Sequence, residues 1–403
     1  MLPRVKIDFS NGALGSTSPS EDCVAGLIAT ATAVADTFVL GNAYILYKFS
    51  DLTSLGVTDK NNAFLYKQVQ EFYNQAGDGA ELWLMGTPST AKPSDVVDKD
   101  NALIPYAKNL IQITNGRLRF LGVAYEPASG YQATVQKGLD SDVMAAALKA
   151  QTLAEWATTS LYAPLFVVLA GRGFANTNIA QLENLTQKNY NRVGILIGDT
   201  VKESEGAAVG LLLGKLATCP VQRSIARVKD GALSILQAYI GDKDASVANA
   251  ETIHNKGYIT FRTFTGKSGY FFSDDCLATS ESDDYRFITR RRTIDKAYRI
   301  TYSTMLEKLC DEIAVTDEGY IVPSVAKAWE SDVVADIAGQ MTAAGELGTD
   351  PTNDDDYGVQ CSIDTNQKII ATSLIKVVTR VKPYGYSKYI NVELGFTTTK
   401  TEN

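Results

Sequence analysis

One histidine, His254, and five widely spaced cysteines, Cys23, Cys219, Cys276, Cys310 and Cys361, are the scarce reactive side chains of this 403-residue chain. A histidine-based triad, a two-histidine zinc site and HExxH each need partners that one histidine does not supply. The ordinary place for such a residue is the surface or a helix end. Two Gly-Lys dipeptides invite a phosphate loop, which needs GxxxxGK[ST] so that backbone N–H groups cradle the phosphates. At Gly266-Lys267-Ser268 the upstream glycine position is Phe261. At Gly214-Lys215 the hydroxyl position is Leu216 and the upstream position is Val209. Both patterns fail. Gly171-Arg172-Gly173 follows the apolar run LFVVLA, where a dinucleotide fingerprint would sit, but the third glycine position is Asn176. Gly198-Asp199-Thr200 puts a carboxylate at a strand end, where open α/β sheets bind ligands, and equally supplies a helix N-cap. The pairs Asp274-Asp275 and Asp283-Asp284 lack the spacing of a calcium loop and read as helix caps and arginine partners. Arg290, Arg291 and Arg292 read as a solvated helix face, or in an assembling protein as one that meets an acidic neighbour. No cofactor and no metal are expected.

Composition bounds what remains. A length of 403 residues gives two or three domains. Hydrophobic residues at 45% and charged residues at 21% suit a soluble globular chain. A net charge of −8 argues against nucleic-acid binding. The odd cysteine count without CxxC reads as reduced, mostly buried thiols in a chain that folds in a reducing cytosol. The opening MLPRVKIDFS has no apolar signal core. No run reaches the roughly 20 apolar residues of a membrane span. The Ala/Thr-rich stretch 23–40 reads as a buried segment of a soluble domain.

The elements that must position these residues follow from periodicity. Residues 4–9 alternate, with Val5, Ile7 and Phe9 on one face of a terminal strand. Residues 11–20 (NGALGSTSPS) form a flexible linker. Strands are expected at 44–49, 82–85, 117–124, 165–170 and 193–197, and helices at 62–75, 100–114, 140–158 and 205–217. Residues 87–98 and 125–137 read as surface loops. This alternation implies βαβ units and a largely parallel sheet covered on both faces. The pattern then changes. Strands at 258–264 and 269–272 precede a long helix, capped near Asp283 or Asp284 and running to about 313. A second helix follows Pro323 and runs to about 344. An exposed turn at 345–358 leads to strands at 359–363, 369–382 and 388–396, the last presenting Ile390, Val392, Leu394 and Phe396 on one face.

Several blocks in this order resemble contractile tail sheath proteins of phage tails and bacterial injection systems. At the front they are SDLTSLGVTD and LYKQVQEFYNQAGDGAELWLMGT. At the back they are FRTFTGKSGYFFSDD, YRFITRRRTIDKAYRI, the helix after Pro323 and DTNQKIIATSLIKVVTRVKPYGYSKYINVELGF. The resemblance covers about half the chain. It implies an α/β fold, α+β towards the C-terminus: a layered αβα core with a mixed sheet and terminal strand arms that add to neighbouring subunits. It divides the chain into an arm and linker at 1–20, an inner domain at 21–86 and 256–384, a variable outer domain at 87–255 and an arm at 385–403.

The function implied is structural rather than enzymatic. Subunits would stack as hexameric rings around an inner tube protein, between baseplate and cap proteins, and contract without nucleotide. Val5, Ile7, Phe9, Ile390, Val392, Leu394 and Phe396 would join subunits by strand addition. Lys327, Glu330, Asp332 and Asp336 would face the tube. Arg290, Arg291 and Arg292 would form an interface cluster. No nucleic acid and no membrane insertion are expected, and assembly would occur in a bacterial cytoplasm. Two other readings stand beside it. One is a cytosolic α/β enzyme with a small ligand near Gly171 or Asp199. The other is a non-contractile phage structural protein, against which the α/β pattern weighs.

Overall fold

The computed structural model describes residues 21–396. The strand carrying Val5, Ile7 and Phe9 and the linker 11–20 lie outside the described residues. The chain divides into two compact units, Met1–Glu312 and Ile313–Asn403.

In the first unit eight strands form one sheet: β1 (Ala25–Thr30), β2 (Ala43–Leu46), β3 (Leu82–Thr87), β4 (Phe120–Ala124), β5 (Phe166–Ala170), β6 (Val193–Ile197), β7 (Ile259–Phe264) and β8 (Lys267–Phe272). Their order is β8-β7-β6-β5-β4-β1-β3-β2. The six inner strands run parallel, and β2 and β8 pair antiparallel at the two edges. Every residue of β1, β4, β5 and β6 is buried. Strands buried throughout need cover on both faces, which explains their near-continuous apolar sequences.

Strands β4, β5 and β6 come from residues 87–255, expected as a separate outer domain. They form the middle of the sheet that the flanking segments complete, because β1 pairs with β4 and β6 with β7. β1 itself, AGLIAT, reads from sequence only as a buried stretch, since Ala and Gly have low strand propensity.

The α-helices of six or more residues described in this unit are α1 (Phe49–Ser54), α2 (Ala63–Ala76), α3 (Tyr106–Ile113), α4 (Ser141–Ser160), α5 (Val209–Thr218), α6 (Ala250–Asn255) and α7 (Ile288–Leu306). The side chain of Asp140 caps α4 by accepting from the Asp142 amide at 3.1 Å. Helix α5 lies on α2 and on β4. A β-carbon at Gly122 of β4 would be 2.6 Å from Leu213 of α5. The expected helix at 100–114 starts later, at Tyr106 after Pro105. The strand expected at 44–49 stops at Leu46, and Phe49 opens α1.

Helix α7 starts at Ile288, not at Asp283 or Asp284, and ends at Leu306, not near 313. Asp283 instead holds a turn, accepting from the Tyr285 amide at 2.7 Å. The remote Asp275 caps the helix: its carboxylate accepts from Thr289 N (3.0 Å) and its carbonyl from Ile288 N (2.8 Å).

The second unit contains α8 (Pro323–Ile337), continued by a π-helical turn at Ala338–Thr342, and the antiparallel pair β9 (Val359–Ile363) and β10 (Val377–Val381). Ile321, Ala326 and Ile363 form its small core, with Trp329 and Val377 against them. The strand expected at 369–382 is broken. Ile369–Thr372 makes a helical turn, Ser373 adopts a left-handed φ of 51°, and β10 begins only at Val377. Residues 388–396 pair with no strand among the described residues.

Candidate functional site

The C-terminal ends of the parallel strands are where an α/β sheet would hold a ligand, at the point where strand order reverses. Here that reversal lies between β1 and β4. The groups at this end bind one another. Asp199, just past β6, is buried and ion-paired to Lys67 of α2. Lys67 also reaches Glu71 at 3.3 Å. Thr200 donates its hydroxyl to Glu71, and Ser204 donates to Asp199 at 2.6 Å. Burial alone would lower the Lys67 pKa, but Glu71 and Asp199 overcome it and raise the value. Burial raises the Glu71 carboxyl pKa despite Lys67 and Thr200.

Gly171 is packed rather than open. A β-carbon there would be 2.6 Å from Ile197. Arg172 beside it donates to Glu205 at 2.6 Å and lies over the rings of Tyr125 and Tyr131. The residues of the ligand-binding alternative therefore serve an internal polar network. Lys67 and Glu71 belong to it too, although no motif marks them in the sequence. Their i, i+4 spacing on α2 was the available signal.

The three consecutive arginines separate on α7, because adjacent helical positions turn by about 100°. Arg290 is half-exposed, while Arg291 and Arg292 are buried. Neither of these two belongs to a solvated face. Arg291 donates to Asp295 at 2.7 Å and lies over Tyr285, and Asp295 also accepts from Arg192 at 3.1 and 3.2 Å. Arg292 donates to the Asp22 carbonyl at 3.0 Å and lies over Phe120. The Asp22 carboxylate receives Lys296 at 2.7 Å and Arg299 at 2.5 Å.

Two aspartates, buried Asp295 and half-buried Asp22, thus hold a row of cations. Burial lowers the Arg291 and Arg299 pKa values, and together with Arg299 it brings Arg119 down to about 10. Burial would raise the Asp22 pKa, but hydrogen bonding from Lys296 and the charge of Arg299 outweigh it, so the value is lowered.

In the second unit, Lys327 and Asp336 are exposed on α8 and Asp332 is half-buried. Glu330 is not on that exposed face. It is buried, accepts from the Ile363 amide of β9 at 2.8 Å and from Lys327 at 2.6 Å, and so ties α8 to its own sheet. Ile390, Val392, Leu394 and Phe396 are 75%, 79%, 94% and 109% exposed. Among the described residues, nothing of its own unit covers this alternating apolar row.

Two family models match the chain: DUF2586, N-terminal domain, over residues 2–276, and DUF2586, C-terminal domain, over residues 284–401. The chain belongs to the DUF2586 family. No curated protein matches it. Three solved structures share the fold of this DUF2586 chain along nearly its whole length. A chain of the anti-feeding prophage (AFP) baseplate, 6-fold symmetrised, has a TM-score of 0.65 at 13% identity, covering 99% of each chain. One from the AFP helical sheath in its contracted state has a TM-score of 0.64 at 14% identity, again covering 99% of each. One from the PVC sheath complex of an extracellular contractile injection system, contracted, has a TM-score of 0.59 at 14% identity, covering 99% of this chain and 98% of that one. The DUF2586 chain has the fold of contractile sheath chains.

The DUF2586 domain boundary, between 276 and 284, differs from the division at 312/313 by compactness. Helix α7 lies between the two boundaries. By sequence family it opens the C-terminal domain. By packing it belongs to the first unit, through the Arg192–Asp295 pair and the Tyr298 hydroxyl, which donates to the Thr158 carbonyl at 3.1 Å. For stability the packing decides.

Proposed function

We propose that this chain is the structural subunit of a contractile sheath. Subunits polymerise as stacked hexameric rings around an inner tube, joined to baseplate and cap proteins, and contraction drives the tube through a target envelope. The observation that carries this reading is the whole-length fold likeness to chains of the AFP helical sheath and the PVC sheath complex. The subunit is not an enzyme in this reading. The energy of contraction is stored when the lattice assembles, and the lattice passes between two packings of the same subunit. Assembly takes place in a bacterial cytoplasm, and the product is part of a phage tail or an injection particle.

The terminal segments supply the links. Ile390, Val392, Leu394 and Phe396 add as a strand to a neighbour's sheet, as do Val5, Ile7 and Phe9 at the other end. The exposure of the C-terminal row supports this. So does the two-stranded β9–β10 sheet, since a lone pair of strands is marginal until further strands are added. Each strand contributes several backbone hydrogen bonds, net about 1 kcal/mol apiece, plus burial of its apolar face at roughly 25 cal/mol per Å². The tube is met by α8 through Lys327, Asp332 and Asp336.

Negative-stain microscopy of the protein purified alone and with its co-expressed tube tests the reading. Hollow striated cylinders are expected without added nucleotide or metal. Particles that stay dispersed at high concentration in both preparations would reject it.

A further inference from the structure

His254, Asp274 and Cys276 bring an imidazole nitrogen, a carboxylate oxygen and a thiol sulfur within 4.8 Å of one another. The fold makes this meeting. Helix α6 carries His254 and ends at Asn255, and Gly257, with a φ of +87°, turns the chain into β7. The β7–β8 hairpin then returns the chain to the same end of the sheet, with Phe272 opposite Phe261 and the Ser273 amide donating to the Thr260 carbonyl at 2.7 Å. Asp274 and Cys276 follow directly. Both are buried, and His254 is half-buried. The Asp274 carboxylate is oriented by the Asp275 amide at 2.8 Å.

His254 and Cys276 also line a cavity of about 110 Å³, together with Thr186, Thr279, Glu281 and Arg286. That is room for a water molecule beside the donors.

We infer that these three residues form a binding site for a zinc-class divalent ion, with a cavity water in the fourth position. A nitrogen, a sulfur and a carboxylate oxygen are the donor types zinc takes, and three protein ligands with one open position is a recurrent zinc arrangement. Bond lengths of roughly 2.0–2.3 Å put tetrahedral donors about 3.3–3.8 Å apart, so side-chain rotation of about an ångström closes the set. On binding, the Cys276 thiol gives its proton to solvent and coordinates as thiolate. The ion clips α6 to the 274–276 loop, whose Asp275 caps α7. The site thus braces the start of the helix that carries the buried cation row. The inference does not depend on the sheath reading.

The test uses the full-length protein, stripped with chelator and titrated with zinc against a chromophoric zinc chelator. A parallel titration uses cobalt(II) as the spectroscopic probe. One equivalent per subunit is expected, with a thiolate-to-cobalt charge-transfer band. C276S should abolish that band. H254A should weaken zinc binding by more than the roughly 10–100-fold that loss of an outer-shell partner costs. C310S, which removes an exposed thiol, should bind as wild type. Failure of the wild-type protein to compete for one equivalent overturns the inference, and so does wild-type binding by both C276S and H254A. The wild-type titration needs no variant, so misfolding of a mutant cannot excuse a negative result.

Discussion

Gly210 of α5 lies so close to Gln68 of α2 that a β-carbon there would overlap the Gln68 carbonyl oxygen. One turn on, a β-carbon at Gly214 would be 2.5 Å from the Phe72 carbonyl. The Gln68 side chain uses the closeness, donating to the Ala207 carbonyl at 3.0 Å and accepting from the Gly210 amide at 2.7 Å. Gly210→Ala should therefore push two helix backbones apart and cost about 3 kcal/mol or more, the upper range for overpacking. Gly339→Ala, at an open helical position, should cost nothing. Urea midpoints of the two variants make the comparison.

The buried cations make the two aspartates sensitive positions. Asp295→Ala leaves Arg192 and Arg291 buried without their carboxylate, and a loss of about 3–5 kcal/mol is expected. Exposed pairs are worth far less, so Lys99→Ala should stay within about 0.5 kcal/mol. Chemical denaturation of both variants, read by circular dichroism, checks this.

Asp22 and Glu71 should give opposite pH dependences. The folded pKa of Asp22 is lowered, so its contribution is complete above the unfolded value near 3.9 and is lost as pH falls through the folded value. Asp22→Asn should flatten the acid limb of the stability curve. The folded pKa of Glu71 is raised, so its penalty appears as pH rises from about 4.3 through the folded value. Glu71→Gln should match wild type near pH 4 and gain on it towards pH 7. Melting temperatures across pH 3–8 separate the two; a Glu71→Gln advantage largest at acid pH would contradict the assignment.

The open C-terminal row predicts a split between folding and assembly. Leu394→Asp should leave the melting temperature unchanged, because the side chain is exposed, while shortening or abolishing cylinders. Deletion of residues 386–403 should do the same. Sedimentation and circular dichroism on one sample report both properties.

Helix α8 should divide by face. Glu330→Ala removes the acceptor of the Ile363 amide and should destabilise the second unit by about 1–3 kcal/mol. Reversing charge at Asp332 and Asp336 should leave stability nearly intact and reduce co-assembly with the tube. Co-sedimentation with tube protein distinguishes the two effects.

Apolar runs and helical periods were legible where local pattern decides. The run VGILI became β6, and the aromatic period of 62–75 became α2. The boundaries of α7 were not, because its cap is Asp275, thirteen residues before Ile288 and brought there by the β7–β8 hairpin. Arg291 and Arg292 read as surface because Arg192, which shares Asp295 with Arg291, and Asp22, which receives Arg292, lie far away in sequence; only the Arg291–Asp295 pair is local, at i, i+4 on α7. Glu330 reads from sequence as outward-facing because the Ile363 amide that claims it arrives only with β9. His254 and Cys276 lie twenty-two residues apart, a spacing outside any short ligand motif, so the cluster shows only in three dimensions.

The strand order of the large sheet also sets a sequence of events during synthesis. β1 must wait for β4 to fill its second edge, and β6 must wait for β7. Parallel pairing over such separations is slow, because loop closure precedes any gain. The β9–β10 pair, by contrast, closes over only the thirteen residues 364–376. Every strand of the sheet has left the ribosome before residue 273, and the sticky row at 390–396 emerges more than a hundred residues later. A nascent chain therefore has time to complete its slowest step before it exposes the C-terminal apolar row.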